Sequence, residues 1–439
     1  MRLIQPNKLR HMLYVQRGGY VVLPLLIMLL LSATAMVLPV LEIDVKPFSI
    51  WAQHASWLPP RDPGMAQLLL GAIAGSCITV VSVVYSVLLI ALTFASIQFS
   101  PRVLNTFVKD TVSQVTLGVF IGTFAYCLVL LPSVHGPPHA TVPSLSLTLA
   151  LVLAASCLFY LVYFIHHIAI AIQVNIIVDR VARETELALR GRFGGPLRRS
   201  PVQEPALVEP TAGKNIPSYM SGYVQYIDEN KLLSIAVSAD ATIFIHRWTG
   251  QFIPAGAPCF TVTPASAATK PLVRSALACF HIGPVRSLED DVEFGVLQLV
   301  DIALKAMSPA VNDPSTAISC IDQLSSVLLL AATLEPPKTI LLDANDKPRI
   351  FRRQTSFTRL LEVAFNQIIR HSGGDMPVSL RMLRALHDVS GVTTCLPYLT
   401  AIRSMSQKVA HACTAHYSPE ACEELLERLS IIETRQRTS

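Results

Sequence analysis

Between Ile282 and Asp322 the chain gathers side chains that could do chemistry: Arg286, Asp290, Asp291, Asp301, Asn312, Asp313 and Asp322. Carboxylates around a turn can hold a cation, and a helix N-terminus beside them can receive an anion. A ligand pocket there would draw on Arg286, Asp291, Asp301, Asn312 and Asp313. The same atoms also suit a purely structural role. Asp313 before Pro314 is an N-cap, Asn312 ties the turn, and Arg286 pairs with a carboxylate. No two carboxylates have a spacing that demands general acid–base work.

A second pattern lies in Met65–Phe99, which carries no charge. Gly71, Gly75, Thr79, Ser82, Ser86, Thr93 and Ser96 recur so that on a helix they share one face about 100° wide. Such a face either packs closely against another helix or borders a wet path. A matching face, Thr111, Gln114, Gly118, Gly122 and Ala125, follows in the next apolar segment, so the two could pack together.

Other reactive residues are less organised. His166-His167 could bind metal or sense pH, or sit at a membrane interface. His411-x-Cys413-x2-His416, with Cys422, has ligand types without zinc-site spacing. The nine cysteines include no Cys-x-x-Cys, which fits reduced thiols better than a disulfide framework. Phosphate-loop, nucleophile-elbow and His-Glu-x2-His motifs are absent. No enzyme activity, metal or cofactor is expected. A net charge of +5 is modest and gives no reason to expect nucleic acid.

The elements that must position these residues begin in a membrane. The chain of 439 residues is 51% hydrophobic and 15% charged, well below the roughly 25% charge of soluble domains. Apolar segments at about 20–41, 65–99, 112–134 and 142–172 are each long enough to cross about 30 Å of hydrocarbon as a helix. Ser32-Ala33-Thr34-Ala35 resembles a cleavage site. The apolar run continues to Leu41, however, so the first segment reads as a retained anchor. Arg and Lys cluster before the first segment (Arg2, Lys8, Arg10, Arg17), between the second and third (Arg102, Lys109), and after the fourth (Arg180 to Arg199). That distribution predicts four crossings with both termini in the cytoplasm.

The rest is expected to be cytoplasmic. Residues 174–217 read as a helical stalk and a linker rich in proline (Pro196, Pro201, Pro205, Pro210, Pro217). The stalk is expected to continue the fourth span without a break. Residues 218–270 read as a small β module, with Gly250 and Gly256 spaced as in half of a barrel-sandwich. No lysine stands at a hairpin tip there to carry a lipoyl or biotinyl group. Residues 271–439 read as mainly helical, with one hairpin around Ala344-Asn-Asp-Lys.

The run Ile282-Gly-Pro-Val-Arg286 through Ser308-Pro-Ala-Val-Asn312-Asp-Pro314 to Asp322 closely resembles the signature of a family of bacterial predicted membrane proteins, domain of unknown function 2254. Gln98-Phe-Ser-Pro-Arg102, Gln114-x3-Gly118-x3-Gly122 and Ser221-Gly-Tyr are similar too, so the resemblance covers nearly the whole chain. Ser287, Asp290 and Ala310 depart from the family's Thr, Gln and Gly. The resemblance implies an architecture and a location but no activity.

The fold expected is therefore an integral membrane α-helical bundle of four transmembrane helices, plus a cytoplasmic α+β domain with a small barrel-sandwich-like module. The location expected is the bacterial inner membrane, with the lipid bilayer and further copies of the same chain as partners. Two functions compete: an oligomeric channel-like or small-solute pathway protein gated by its cytoplasmic domain, and a membrane-anchored sensor or scaffold.

Overall fold

Dense runs of Leu, Ile, Val and Ala leave the backbone no option in lipid but helix, because each N–H and C=O must be bonded internally. The computed structural model describes residues 21–44, 62–98, 110–135, 142–197, 212–288, 290–372, 374–418, 420 and 422–435. The side chains of 43–44, 95–98 and 433–435, Ser96 included, lie outside that description. So do the basic residues Arg2, Lys8, Arg10, Arg17, Arg102, Lys109, Arg198 and Arg199, the Ser100–Arg102 motif, and Pro201, Pro205 and Pro210. The chain forms two compact units, Met1–Gln173 and Val174–Ser439.

The first unit holds α1 (Val22–Asp44), α2 (Pro63–Gln98), α3 (Thr111–Leu130) and α4 (Ser144–Ala171). The Asp110 carboxylate caps α3, accepting from the Ser113 N–H at 3.0 Å. α3 is the central helix, in contact with the other three. Its small residues explain how. A Cβ on Gly118 would stand 2.6 Å from Ile27 Cδ1 and 3.1 Å from the Pro24 Cα of α1. One on Gly122 would stand 2.7 Å from Leu31 Cδ1. The Gly118-x3-Gly122 face therefore packs on α1, not on the small face of α2. α2 turns a different side inward, with Ala66, Leu70, Ala74, Cys77, Val81, Val84 and Ala91 buried.

The second unit opens with α5 (Val174–Arg192). α4 ends at Ala171 and α5 begins at Val174, so span and stalk are two helices rather than one. Two sheets follow. β1 (Lys214–Pro217), β5 (Pro258–Thr263), β3 (Thr242–Ile245), β8 (Pro348–Phe351) and β7 (Ile340–Leu342) lie side by side in that order. β4 (Phe252–Ile253), β2 (Gly222–Ile227) and β6 (Phe280–Gly283) form the second sheet. α6 (Glu229–Ser238) and α7 (Lys270–Leu277) close over them. Their shared core includes Val224, Leu232, Ile243, Phe260, Leu272 and Ile350. Phe260 and Phe280 stack at 5.4 Å between ring centres. Gly250 (φ 89°) and Gly256 (φ 85°) both take the left-handed conformation that their turns need. The β part is wider than 218–270, because β1 and the distant β7–β8 hairpin join it, β8 pairing in parallel with β3.

The helical part comprises α8 (Val292–Ala306), α9 (Pro314–Thr333), α10 (Phe357–His371), α11 (Met376–Val392), α12 (Leu396–Thr414) and α13 (Glu423–Arg435). α5 packs on α8 and α9. At one crossing a Cβ on Gly295 would fall 2.0 Å from Thr185 Oγ1. Among the described residues five helices are long and apolar enough to cross a membrane: α1 to α4 and, in addition, α9. α9 belongs to the second unit, where Ala317, Ile321, Leu324 and Leu328 are buried in contacts with α5, α8 and α11.

Candidate functional site

The polar residues around the α8–α9 turn do not converge. Arg286 and Asp291 sit at the start of α8, whereas Asn312 and Asp313 sit beyond its end. A helix of 15 residues is about 22 Å long. The two groups are thus separated by the whole of α8.

At the first end, Arg286 donates Nε to Asp291 Oδ2 at 2.8 Å and Nη2 to Asp291 Oδ1 at 2.9 Å. Asp291 Oδ1 also accepts from the Phe294 N–H at 3.0 Å, capping α8. The Arg286 guanidinium lies 5.1 Å from the centre of the Phe294 ring. Asp291 is 4% exposed, so its carboxylate meets protein rather than water. Burial pushes its pKa up, and the Arg286 guanidinium pulls against that. Gly250 makes room for the pair: a Cβ there would stand 2.2 Å from Asp291 Oδ2.

At the other end, Asn312 is exposed with φ 48°, turning the chain between α8 and α9. Asp313 accepts from the Thr316 N–H at 3.1 Å and from the Thr316 hydroxyl at 2.6 Å. Those bonds hold its carboxyl below the ordinary carboxylate range. Asp301 is half-buried along α8, and Asp322 forms an ion pair with Arg381 of α11. Asp291, Asp313 and Asp322 each have a structural partner.

The α2 stripe faces outward. Gly71, Gly75, Thr79, Ser82, Ser86 and Thr93 are all exposed on the first unit. A Cβ on Gly71 or Gly75 would meet nothing within 4 Å. The hydroxyls turn back onto their own helix: Thr79 donates to Gly75 O at 2.9 Å, Ser82 to Ile78 O at 3.3 Å, Ser86 to Ser82 O at 2.9 Å and Thr93 to Leu89 O at 2.7 Å.

Two polar contacts, one made by Glu42 and one by His167, were not legible in the sequence. Glu42, just past the apolar run that ends at Leu41, is buried in the last turn of α1. Its carboxylate accepts from the Leu145 N–H at 3.0 Å and the Ser146 N–H at 3.3 Å. It thereby caps α4, whose own N-cap residue, Pro143, offers no side-chain acceptor. The missing local cap was the signal that could have pointed to it. Similarly, His167 Nε2 lies 2.9 Å from Asp110 Oδ1, joining the end of α4 to the start of α3, while His166 is exposed. His411 and His416 are exposed, and Cys413 and Cys422 are buried. Among the described residues no cluster of three or more His, Cys, Asp or Glu side chains could hold a metal ion.

Comparison with known proteins agrees with the signature. Residues 17–388 match the family described as predicted membrane protein, DUF2254. An uncharacterized protein of Mycobacterium tuberculosis is 30% identical over 370 residues, covering 82% of this chain and 70% of its own length. An uncharacterized protein of Mycobacterium bovis matches to the same extent. No solved structure matches. The bundle, the Gly118-x3-Gly122 contact and the Asn312-Asp313-Pro314 turn all fall within the matched region, and the chain belongs to the DUF2254 family of predicted membrane proteins.

Proposed function

We propose that this protein is a multi-pass protein of the bacterial inner membrane that works as a homo-oligomer, its copies meeting along α2 and enclosing a path for a small solute. α1 to α4 are the crossings and both termini are cytoplasmic, following the Arg and Lys distribution. α9 stays in the cytoplasmic domain, where its apolar face already has partners, and that domain gates the path.

The outward stripe on α2 carries this reading. Gly71 and Gly75 leave the backbone bare, so a second helix can approach closely. The Thr and Ser protons are satisfied within the helix, while each oxygen retains acceptor capacity towards its surroundings. The competing reading is an anchored sensor or scaffold. It is favoured by the bundle interior, which is filled with apolar side chains such as Leu70, Leu117, Tyr126 and Phe164.

The test is the double variant Ser82→Leu with Ser86→Leu, reconstituted in liposomes. Both positions are exposed, so the single chain should still fold. The expected result is loss of ion or solute flux, with the oligomer either retained, if the stripe lines the path, or dissociated, if it is the seam. A wild-type protein that runs as a monomer in detergent and passes no solute would reverse the proposal and leave the anchor. Protease protection in the same liposomes reads the side on which the second unit lies.

A further inference from the structure

A groove of about 650 Å³ lies entirely within the second unit, between β1 and α7. β1 is the outermost strand of its sheet, so one long side of the groove is a strand edge with no neighbouring described strand. The other side is one face of α7. Lys270, Val273, Arg274 and Leu277 follow the i, i+3, i+4, i+7 rule and share that face, while Leu272 and Ala276 turn into the core.

The groove has an apolar body and a cationic rim. Val273 and Leu277 line it from the helix, and Tyr219, 62% exposed, stands at its side. Lys270 and Arg274 lie one turn apart on α7, and Lys214 adds a third cation from β1. Among the described residues no carboxylate lines the groove, and none of the three cations has an ion-pair partner. Like charges at i, i+4 repel each other, and an anion between Lys270 and Arg274 would offset that repulsion. An arginine beside two lysines suits a carboxylate or phosphate. The volume is that of a small-molecule site rather than a protein interface.

We propose that this groove binds a small soluble anion with an apolar body, of the class of an aryl or short-acyl phosphate or carboxylate. The anionic head sits among Lys214, Lys270 and Arg274, and the apolar body lies on Val273 and Leu277. This site stands apart from the α2 seam and does not depend on the oligomer.

The test uses the full-length protein in nanodiscs of zwitterionic phosphatidylcholine, titrated with 1-naphthyl phosphate and followed by fluorescence anisotropy. Saturable binding is expected, weakened about tenfold or more by Lys270→Gln with Arg274→Gln. Both side chains are exposed, so the variant should fold, and an unchanged thermal melt verifies this. Inorganic phosphate, which lacks the apolar body, should bind about tenfold more weakly still. Equal binding by the folded variant would overturn the proposal, as would inorganic phosphate binding as tightly as the naphthyl ester. Loss of probe binding when the nanodiscs contain phosphatidylglycerol would assign the groove to a lipid headgroup and overturn the soluble ligand.

Discussion

Replacing Asp291 by Ala is expected to destabilise the second unit by about 3 kcal/mol, because it strands the Arg286 charge against a mostly buried surface. The change also removes the cap from α8, leaving the Phe294 N–H without its acceptor. Asp291→Asn keeps an acceptor for either Arg286 or Phe294 and should cost less. Asp313→Ala, at the start of α9, removes only a half-exposed cap and should cost roughly 0.5–2 kcal/mol. Thermal or denaturant melts of the three purified variants give the order directly. If Asp291→Ala melted no earlier than Asp313→Ala, the Arg286–Asp291 pair would not hold this end of α8. A melt at the wild-type position, with some other property lost, would instead point to a ligand role for Asp291.

The second large effect concerns Glu42. Its carboxylate is 6% exposed and bonds two N–H groups at the start of α4, from a helix about a hundred residues earlier in the chain. Hydrogen bonds to a charged group contribute about 1.5–3 kcal/mol, and a negative charge at a helix N-terminus gains further from the macrodipole. Glu42→Ala should therefore lower the stability of the first unit by roughly 2–3 kcal/mol, since Pro143 supplies no replacement. Glu42→Gln retains an acceptor oxygen and loses the charge, so an intermediate melt is expected. Thermal unfolding of the detergent-solubilised variants measures both. Equal melting of Glu42→Gln and wild type would show that the acceptor matters and the charge does not.

Composition and spacing by themselves determined the elements of this protein. Long uncharged runs specify α1 to α4 because lipid leaves no other way to bond the backbone. Asp291, Asp313 and Ser356 mark the starts of α8, α9 and α10 because capping is a local interaction, readable from a residue and its neighbours three positions on. Gly250 and Gly256 mark turns for the same local reason. α7 and β6 were not legible. They are short, Pro271 opens the helix, and neither has enough residues to establish a period.

What only the tertiary structure decided is which faces meet. The sequence presents small residues on α2 and on α3, and nothing in it says that Gly118 and Gly122 receive Ile27 and Leu31 of α1 while the α2 stripe is left outside. A helix periodicity names a face but not its partner, since several faces of similar size compete and packing chooses among them. The same limit governed the polar residues. Arg286, Asp291, Asn312 and Asp313 are close in sequence, yet the rise of 1.5 Å per residue along α8 carries them about 22 Å apart. Glu42 and Leu145 are far apart in sequence, and the antiparallel return of the chain brings them into hydrogen bonding. The groove between β1 and α7 arose in the same way. Its cations belong to two elements, β1 and α7, that the sequence separates and the fold brings to one groove.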